Sequence, residues 1–388
     1  MITKITNGIL ITDTLESGKN LYIDGNRICA ITEANLPADT VIDANGLYVS
    51  PGFIDIHTHG AGGFDVADGT AEDILRAAHE HARHGTTSMY PSCTSTSAEA
   101  IEAFIENVKT AMAQNAPGKP HIAGSHLEGP YFSDVMRGAQ NPTCLKTPDP
   151  AEYEKWIRLG EGTVRRISFA PELPGAEQLC EYLTENGVVA AFGHTDAVYG
   201  ELKPLIDKGC RLATHLYSGM NTVVRRDLMR HLGAVETSFL EDSVDVEIIA
   251  DGIHLPPELL KLIYKIKGAD RICLVTDSMR GAGMGEGTFV LGPKDDAVEC
   301  ISKNGIAYLP DMTAFAGSVA TADRLVRVMH KQADVSLIKC IKMMCATPAR
   351  VMHLPERGEL KVGYYADIVL FDGDIMIQKV LIEGKELQ

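Results

Sequence analysis

Six side chains able to hold a divalent ion stand at recurring places along this sequence: His57, His59, Glu128, His194, His215 and Asp277. His57 and His59 are two residues apart, so in an extended segment both imidazoles point to one face and can grip one ion. The others each close a short apolar run. A lone histidine or aspartate in such a place is ordinarily a solvated or hydrogen-bonded side chain. Collected at the ends of five candidate strands, with a His-x-His pair at the first, they read as one metal centre. Four imidazoles with two carboxylates suit Zn or Fe better than Mg or Ca, which prefer all-oxygen shells. A divalent metal is the expected cofactor.

Eight apolar runs must position these groups, at 51–57, 86–90, 122–128, 166–170, 188–194, 212–215, 246–251 and 272–277. Amphipathic stretches separate them, such as 71–84, stopped by Gly85, and 256–267, stopped by Gly268. Eight strand–helix units over about 300 residues predict an α/β fold of the (β/α)8 TIM-barrel type, with chemistry at the carboxyl ends of the strands. A doubly wound open sheet is the alternative. Both ends of the chain instead carry short strands broken by turn signals such as Asp24-Gly25-Asn26 and Asp372-Gly373. The expected division is a small β-sandwich domain from 1–50 plus 357–388 and a catalytic barrel over 51–356. After the eighth run, 287–291 and 297–301 read as a hairpin ahead of 312–318. The glycine-rich stretch 281–287 opens onto a strand rather than a helix, so it reads as a loop and not a phosphate cradle.

Composition excludes several function classes. Of 388 residues 45% are apolar and 23% charged, as in ordinary globular proteins, and no apolar run is long enough to cross a bilayer. The formal charge of −16 disfavours nucleic acid and anionic membranes as partners. The nine cysteines are odd in number with no Cys-x-x-Cys pair, and the first residues lack the apolar core of a signal peptide. Reduced thiols and a cytoplasmic location are expected. His79, His81 and His84 fall on one predicted helix and read as surface residues. Asp55 and His126 each precede a candidate ligand by two, which predicts hydrogen bonding to the ligands or packing inside the barrel.

The motifs 51–60 (Pro-Gly-Phe-Ile-Asp-Ile-His-Thr-His-Gly), His126-Leu127-Glu128-Gly129-Pro130, Gly193-His194-Thr195-Asp196, Thr214-His215-Leu216-Tyr217, Ala250-Asp251-Gly252-Ile253-His254 and Val275-Thr276-Asp277 together resemble the N-acetylglucosamine-6-phosphate deacetylases of the amidohydrolase superfamily. The resemblance covers nearly the whole chain. It implies that Glu128 stands where other superfamily members have a carbamylated lysine. His194 and His215 would complete one metal position, while His57, His59 and Asp277 outline a second, with Glu128 bridging. The activity implied is hydrolysis of the acetamide of N-acetylglucosamine 6-phosphate by metal-activated water, with Asp277 as the proton shuttle. By resemblance His254 contacts the substrate, Ala316-Gly317-Ser318 closes over the sugar, and the enzyme is a homodimer.

Three departures bear on substrate choice. Family members commonly read His-Leu-Tyr-Asn-Ala-Met where this chain has His215-Leu216-Tyr217-Ser218-Gly219-Met220, so the backbone N–H groups of Ser218 and Gly219 are left as candidate phosphate donors. The usual downstream Arg-Glu-Pro-Gly is replaced by Arg225-Arg226-Asp227-Leu228, which makes Arg226 the candidate phosphate ligand or part of a surface arginine cluster at a dimer interface. Gln140 stands where a histidine often lies near the acetyl group. These changes leave open N-acetylgalactosamine 6-phosphate or another N-acyl amino sugar as substrate. A cyclic amidase or deaminase would usually carry the bridging lysine, and a non-catalytic barrel predicts an eroded ligand set, whereas all six positions are filled.

Overall fold

The apolar runs pair side by side into a parallel barrel in the computed structural model of the chain, which describes residues 1–292 and 297–388. Its strands are β1 (Phe53–Thr58), β2 (Thr86–Cys93), β3 (Ser125–Glu128), β4 (Val164–Phe169), β5 (Val189–Phe192), β6 (Leu212–Ala213), β7 (Asp245–Ile248) and β8 (Ile272–Leu274). Neighbours from β1–β2 to β7–β8 pair in parallel. Closure occurs just beyond the ends of β8 and β1, where Asp277 N–H donates to the His57 carbonyl at 2.9 Å and His59 N–H to the Ser278 carbonyl at 2.8 Å. First and last strands are therefore joined, which an open doubly wound sheet would not allow. Strands buried on both faces need no polar alternation, and this is why they read as continuous apolar runs.

Helices cover the outside of the barrel. The one at Ala71–Arg83 begins at Thr70, whose side chain accepts from Asp73 N–H, a cap worth about 1 kcal/mol. It buries Ile74, Ala77, Ala78 and Ala82, and also His81. The expected run 122–128 is broken into His121–Ile122 and Ser125–Glu128, because Gly124 turns to φ +144 between them. The sixth and eighth strands end earlier than their apolar runs: His215 (φ +30) and Asp277 (φ +45) leave the extended region and stand on the loops above.

The two ends of the chain share one sheet. Its order is Lys385–Glu386, Ile377–Ile382, Ile368–Phe371, Tyr48–Pro51, Ile9–Ile11 and Leu15–Ser17, so the last strands pair with early ones. A second sheet holds Arg27–Thr32, Asn20–Asp24, Ile2–Thr6 and Thr40–Asp43. Ile5, Leu10, Leu21, Ile23, Val49 and Leu370 fill the space they enclose. The hairpin expected after β8 is larger than its sequence signal. Four antiparallel strands, Gly287–Leu291, Val298–Lys303, Ile306–Tyr308 and Phe315–Ser318, form a sheet whose last member bridges back to Ser278. Ile306–Tyr308 is too short to show a period, yet it is what carries Phe315 and Gly317 to the barrel mouth.

Candidate metal centre

All six sequence-selected groups converge above the strand ends, around the carboxylate of Glu128. Its Oε1 lies 2.9 Å from His215 Nε2, 3.3 Å from His194 Nε2 and 3.6 Å from His57 Nε2, while Oε2 lies 3.3 Å from His59 Nε2. Asp277 Oδ1 is 3.1 Å from His59 Nε2 and 3.5 Å from His57 Nε2. Two ligand triads result, His57–His59–Glu128 and Glu128–His194–His215, each with its donor atoms within 4.8 Å of one another. Glu128 belongs to both. The fit to a divalent ion rests on the nitrogens themselves: His57 Nε2 is buried without a hydrogen-bond partner, an arrangement that normally costs free energy unless an ion completes it.

The far nitrogens explain why Nε2 faces inward. His57 Nδ1 meets Glu247 Oε2 at 3.3 Å, His59 Nδ1 the Ser92 carbonyl at 2.8 Å, and His194 Nδ1 the Met136 carbonyl at 2.9 Å. Each partner can accept from Nδ1–H, which leaves Nε2 to serve as lone-pair donor to an ion, the usual outer support of a metal-binding imidazole. His194, His215 and Asp277 all have φ between +30 and +45, a conformation that for non-glycine residues persists only where surroundings over-determine it. Gly219 is required for a related reason. With φ +57, a Cβ there would approach His194 Nδ1 to 2.6 Å and the Met136 carbonyl to 2.9 Å, prying apart the bond that orients His194.

Sequence reading missed Glu247. This fully buried residue of β7 touches both triads, since its Oε2 accepts from His215 N–H at 3.2 Å as well as facing His57. Arg166 of β4, also fully buried, binds both Glu247 oxygens and the Thr214 hydroxyl. The signal was a charged residue inside each of two apolar runs, Val246-Glu247-Ile248 and Arg166-Ile167. His126 bonds not to a ligand but to Ser92 Oγ at 3.0 Å and Ser168 Oγ at 2.8 Å, and its ring meets that of His57 edge-on with centroids 4.6 Å apart. Asp55 receives Thr276 Oγ1–H at 2.5 Å and His57 N–H at 3.3 Å. The surface reading of His81 is corrected: it is buried, held neutral by desolvation with its pKa lowered to about 4, and it joins Thr58 Oγ1 and the Gly60 carbonyl at the loop after β1.

A cavity of about 210 Å³ opens on the centre, and the candidate substrate residues divide around it. Gln140, Ser218, Gly219, His254 and Gly317 line it, together with Phe315. Gln140 Nε2–H donates to Glu128 Oε2 at 2.8 Å while its Oε1 accepts from Ser95 N–H, so it braces the shared carboxylate. His254 is oriented by Asp251 at 2.8 Å from Nδ1 and stacks edgewise on Phe315. Ala316 and Ser318 are buried behind Gly317, where Ser318 N–H donates to the Asp277 carbonyl at 2.8 Å. Arg226 lies outside the lining and turns to Asp196 and Glu201.

The amidohydrolase family model matches residues 48–387. The chain belongs to the amidohydrolase family. Among its relatives, the N-acetylglucosamine-6-phosphate deacetylase of Lysinibacillus sphaericus is 30% identical over 347 residues, 89% of this chain and 86% of that one. The N-acetylgalactosamine-6-phosphate deacetylase of Escherichia coli O157:H7 is 29% identical over 89% of each chain. The crystal structure of N-acetyl-D-glucosamine-6-phosphate deacetylase from Mycobacterium smegmatis superposes with a TM-score of 0.90 at 31% identity, covering all of both chains. Membership makes this amidohydrolase metal-dependent, in agreement with its two triads.

Charge compensation in this amidohydrolase is internal. Burial works against a charge on His57, but Asp277 and Glu128 outweigh it and raise the imidazole to about 9. His59 is raised by the same carboxylates against its own burial. Burial likewise opposes ionisation of Glu128 and Asp277, yet His57 holds both below the ordinary carboxylate range. The sign follows for the metal-free fold: a raised His57 stabilises below its unfolded pKa and loses that contribution as pH climbs through about 9. Ion binding must expel the same proton, so it runs the opposite way. Affinity for a divalent ion should rise from pH 7 to 9 with proton release, read by calorimetry in buffers of different ionisation enthalpy; a flat profile would contradict this charge state.

Glu247→Gln should weaken metal retention about 10- to 100-fold, as loss of an outer support does. It also strands Arg166, which costs about 3–5 kcal/mol. The double variant Arg166→Met/Glu247→Gln should recover thermal stability without recovering the metal. If elemental analysis finds normal metal content in the double variant, Glu247 does not position the ligands.

Proposed function

We propose that the chain hydrolyses the acetamide of N-acetylglucosamine 6-phosphate to glucosamine 6-phosphate and acetate. The observation that carries this reading is the Glu128 carboxylate shared by both triads with Asp277 beside them, in a chain whose relatives are amino-sugar-phosphate deacetylases. His57, His59, Glu128, His194, His215 and Asp277 would hold one or two ions, Zn or Fe by donor type. When bound, such an ion supplies Lewis-acid polarisation of the amide carbonyl and acidifies water near neutral pH. Asp277, ionised by its histidine neighbours, accepts the proton of the attacking water and passes it to the departing sugar nitrogen. His254 presents Nε2 to the substrate because Asp251 occupies Nδ1. Ser218 N–H is donated to the His215 carbonyl at 3.0 Å, so of the two expected backbone donors only Gly219 is left for the phosphate, and Gly317 leaves room for the sugar beside Phe315.

The galacto epimer is a second reading, supported by the Escherichia coli relative. Acetate release from the two epimers and from unphosphorylated N-acetylglucosamine separates them, with the gluco 6-phosphate expected to be fastest. Asp277→Asn should lower kcat about 100- to 10,000-fold while metal content is kept. A rate near wild type would remove Asp277 from proton transfer.

The remaining assignments follow the same reading. The chain divides into a β unit of 1–50 with 357–388 and a barrel of 51–356. It works in the cytoplasm, in keeping with nine free cysteines, and no described helix is long and apolar enough to cross a membrane. Val223, Leu228 and Met229 are exposed by 45%, 80% and 66% around the arginine hairpin Val224–Arg226 and Met229–His231, an apolar surface suited to a second copy of the chain. Light scattering should therefore give twice the chain mass, and Leu228→Glu/Met229→Glu should give the single mass; a wild-type monomer rules the pairing out.

A further inference from the structure

At the opposite end of the barrel from the metal centre, a cavity of about 340 Å³ opens among the strand starts. Strand register assembles its walls. Asp245 N–H donates to the Arg211 carbonyl and Val246 N–H to the Arg271 carbonyl, both at 2.8 Å, so Arg211, Asp245 and Arg271 stand in one row on adjacent strands. Arg350, from the helix Ala346–Val351, and His353 close the row. Asp245 is the one carboxylate in this lining among the described residues. It is already engaged by Arg350 in a two-pronged pair at 2.6 and 3.1 Å, and Arg271 reaches it only at 3.4 Å. Arg211 uses Nε on the Ile206 carbonyl, and its two terminal nitrogens have no hydrogen-bond partner among the described residues.

We propose that this cavity is a binding site for a phosphate monoester, separate from the metal centre. Three guanidinium groups against one carboxylate leave a positive excess in a chain whose formal charge is −16. Arg350 occupies both oxygens of Asp245 and Arg271 reaches it only at 3.4 Å, so the three guanidinium groups exceed what one carboxylate neutralises, and gathering like charges is unfavourable without an anion between them. Guanidinium forks match phosphate oxygens in two-pronged geometry, and the Ser243 hydroxyl on the same wall adds a neutral donor. The site depends on the proposed function only for the choice of probe, since substrate and product there both carry a phosphate monoester.

The test is calorimetric titration of the metal-loaded full chain with glucosamine 6-phosphate, inorganic phosphate and glucosamine. Wild type should bind glucosamine 6-phosphate at two sites per chain and Arg211→Gln/Arg271→Gln at one, with circular dichroism and deacetylation rate unchanged. Arg350 is left in place so that Asp245 keeps its partner. Arg211→Gln alone, at an exposed position, should weaken the second site about tenfold, the loss of one charge-assisted contact. Inorganic phosphate binding as tightly as the sugar phosphate assigns the site to free phosphate; weaker binding assigns it to the phosphorylated sugar. Binding of glucosamine 6-phosphate that both variants leave unaltered, or equal binding of glucosamine, overturns the proposal; a single wild-type site that the double variant abolishes counts instead against binding at the metal centre. Absence of acetate release with the second site intact would instead count only against the deacetylase reading.

Discussion

A buried carboxylate surrounded by imidazoles is tolerable only if its charge is matched, and the upper half of this barrel is arranged around that requirement at Glu128. Each neighbouring histidine offers Nε2 to it, and three of them do so because a carbonyl or carboxylate holds Nδ1. Gln140 saturates the remaining lobe of Oε2. Beneath lies a second buried pair, Arg166 and Glu247, which carries the orientation of His57 and the backbone of His215 down into the barrel interior. An interior of this kind cannot be an apolar plug. Ser92, Ser168, Thr214 and His126 fill the space around the pair, and all are buried.

That polar interior explains the division of labour between strands and loops. Strands supply rigid positions for His57, Glu128, Arg166 and Glu247, whereas His194, His215 and Asp277 stand just beyond strand ends in left-handed backbone. Such φ values cost about 1–3 kcal/mol each. The bonds that close the barrel, from Asp277 N–H to His57 and from Ser318 N–H to Asp277, also hold this strained residue in place. Closure of the sheet and positioning of the candidate proton carrier are thus one set of hydrogen bonds. The sheet after β8 extends the coupling, because its last strand brings Phe315 and Gly317 over the centre through the same Asp277–Ser278 segment.

The two mouths of the barrel differ in chemistry because strands are polar objects with two unlike ends. At the carboxyl ends, imidazoles and carboxylates converge in a cavity with few free charges. At the amino ends, arginines preceding β6 and β8 stand on either side of Asp245. Chain topology separates them, so a basic cavity can exist in an acidic protein without disturbing the charge balance at Glu128.

The cluster around Glu128 was legible in the sequence because strand-end residues are local: an apolar run followed by His or Asp places the side chain at the barrel mouth whatever the rest does. His57-x-His59 is legible for the same reason. The barrel and the shared terminal sheet were legible from periodicity and from β-type texture at both ends. Glu247, Arg166 and His81 were not. Each is a charged or titratable residue whose burial is decided by what lies across the barrel, on strands or loops roughly 20 to 190 positions away in sequence. Local pattern carries no information about a partner at that separation, so His81 reads as surface and Glu247 as a flaw in a strand. The sequence alone determined which groups the fold gathers around Glu128. Only the tertiary structure decided which nitrogens they present, because that depends on the carbonyls and carboxylates that folding brings behind them.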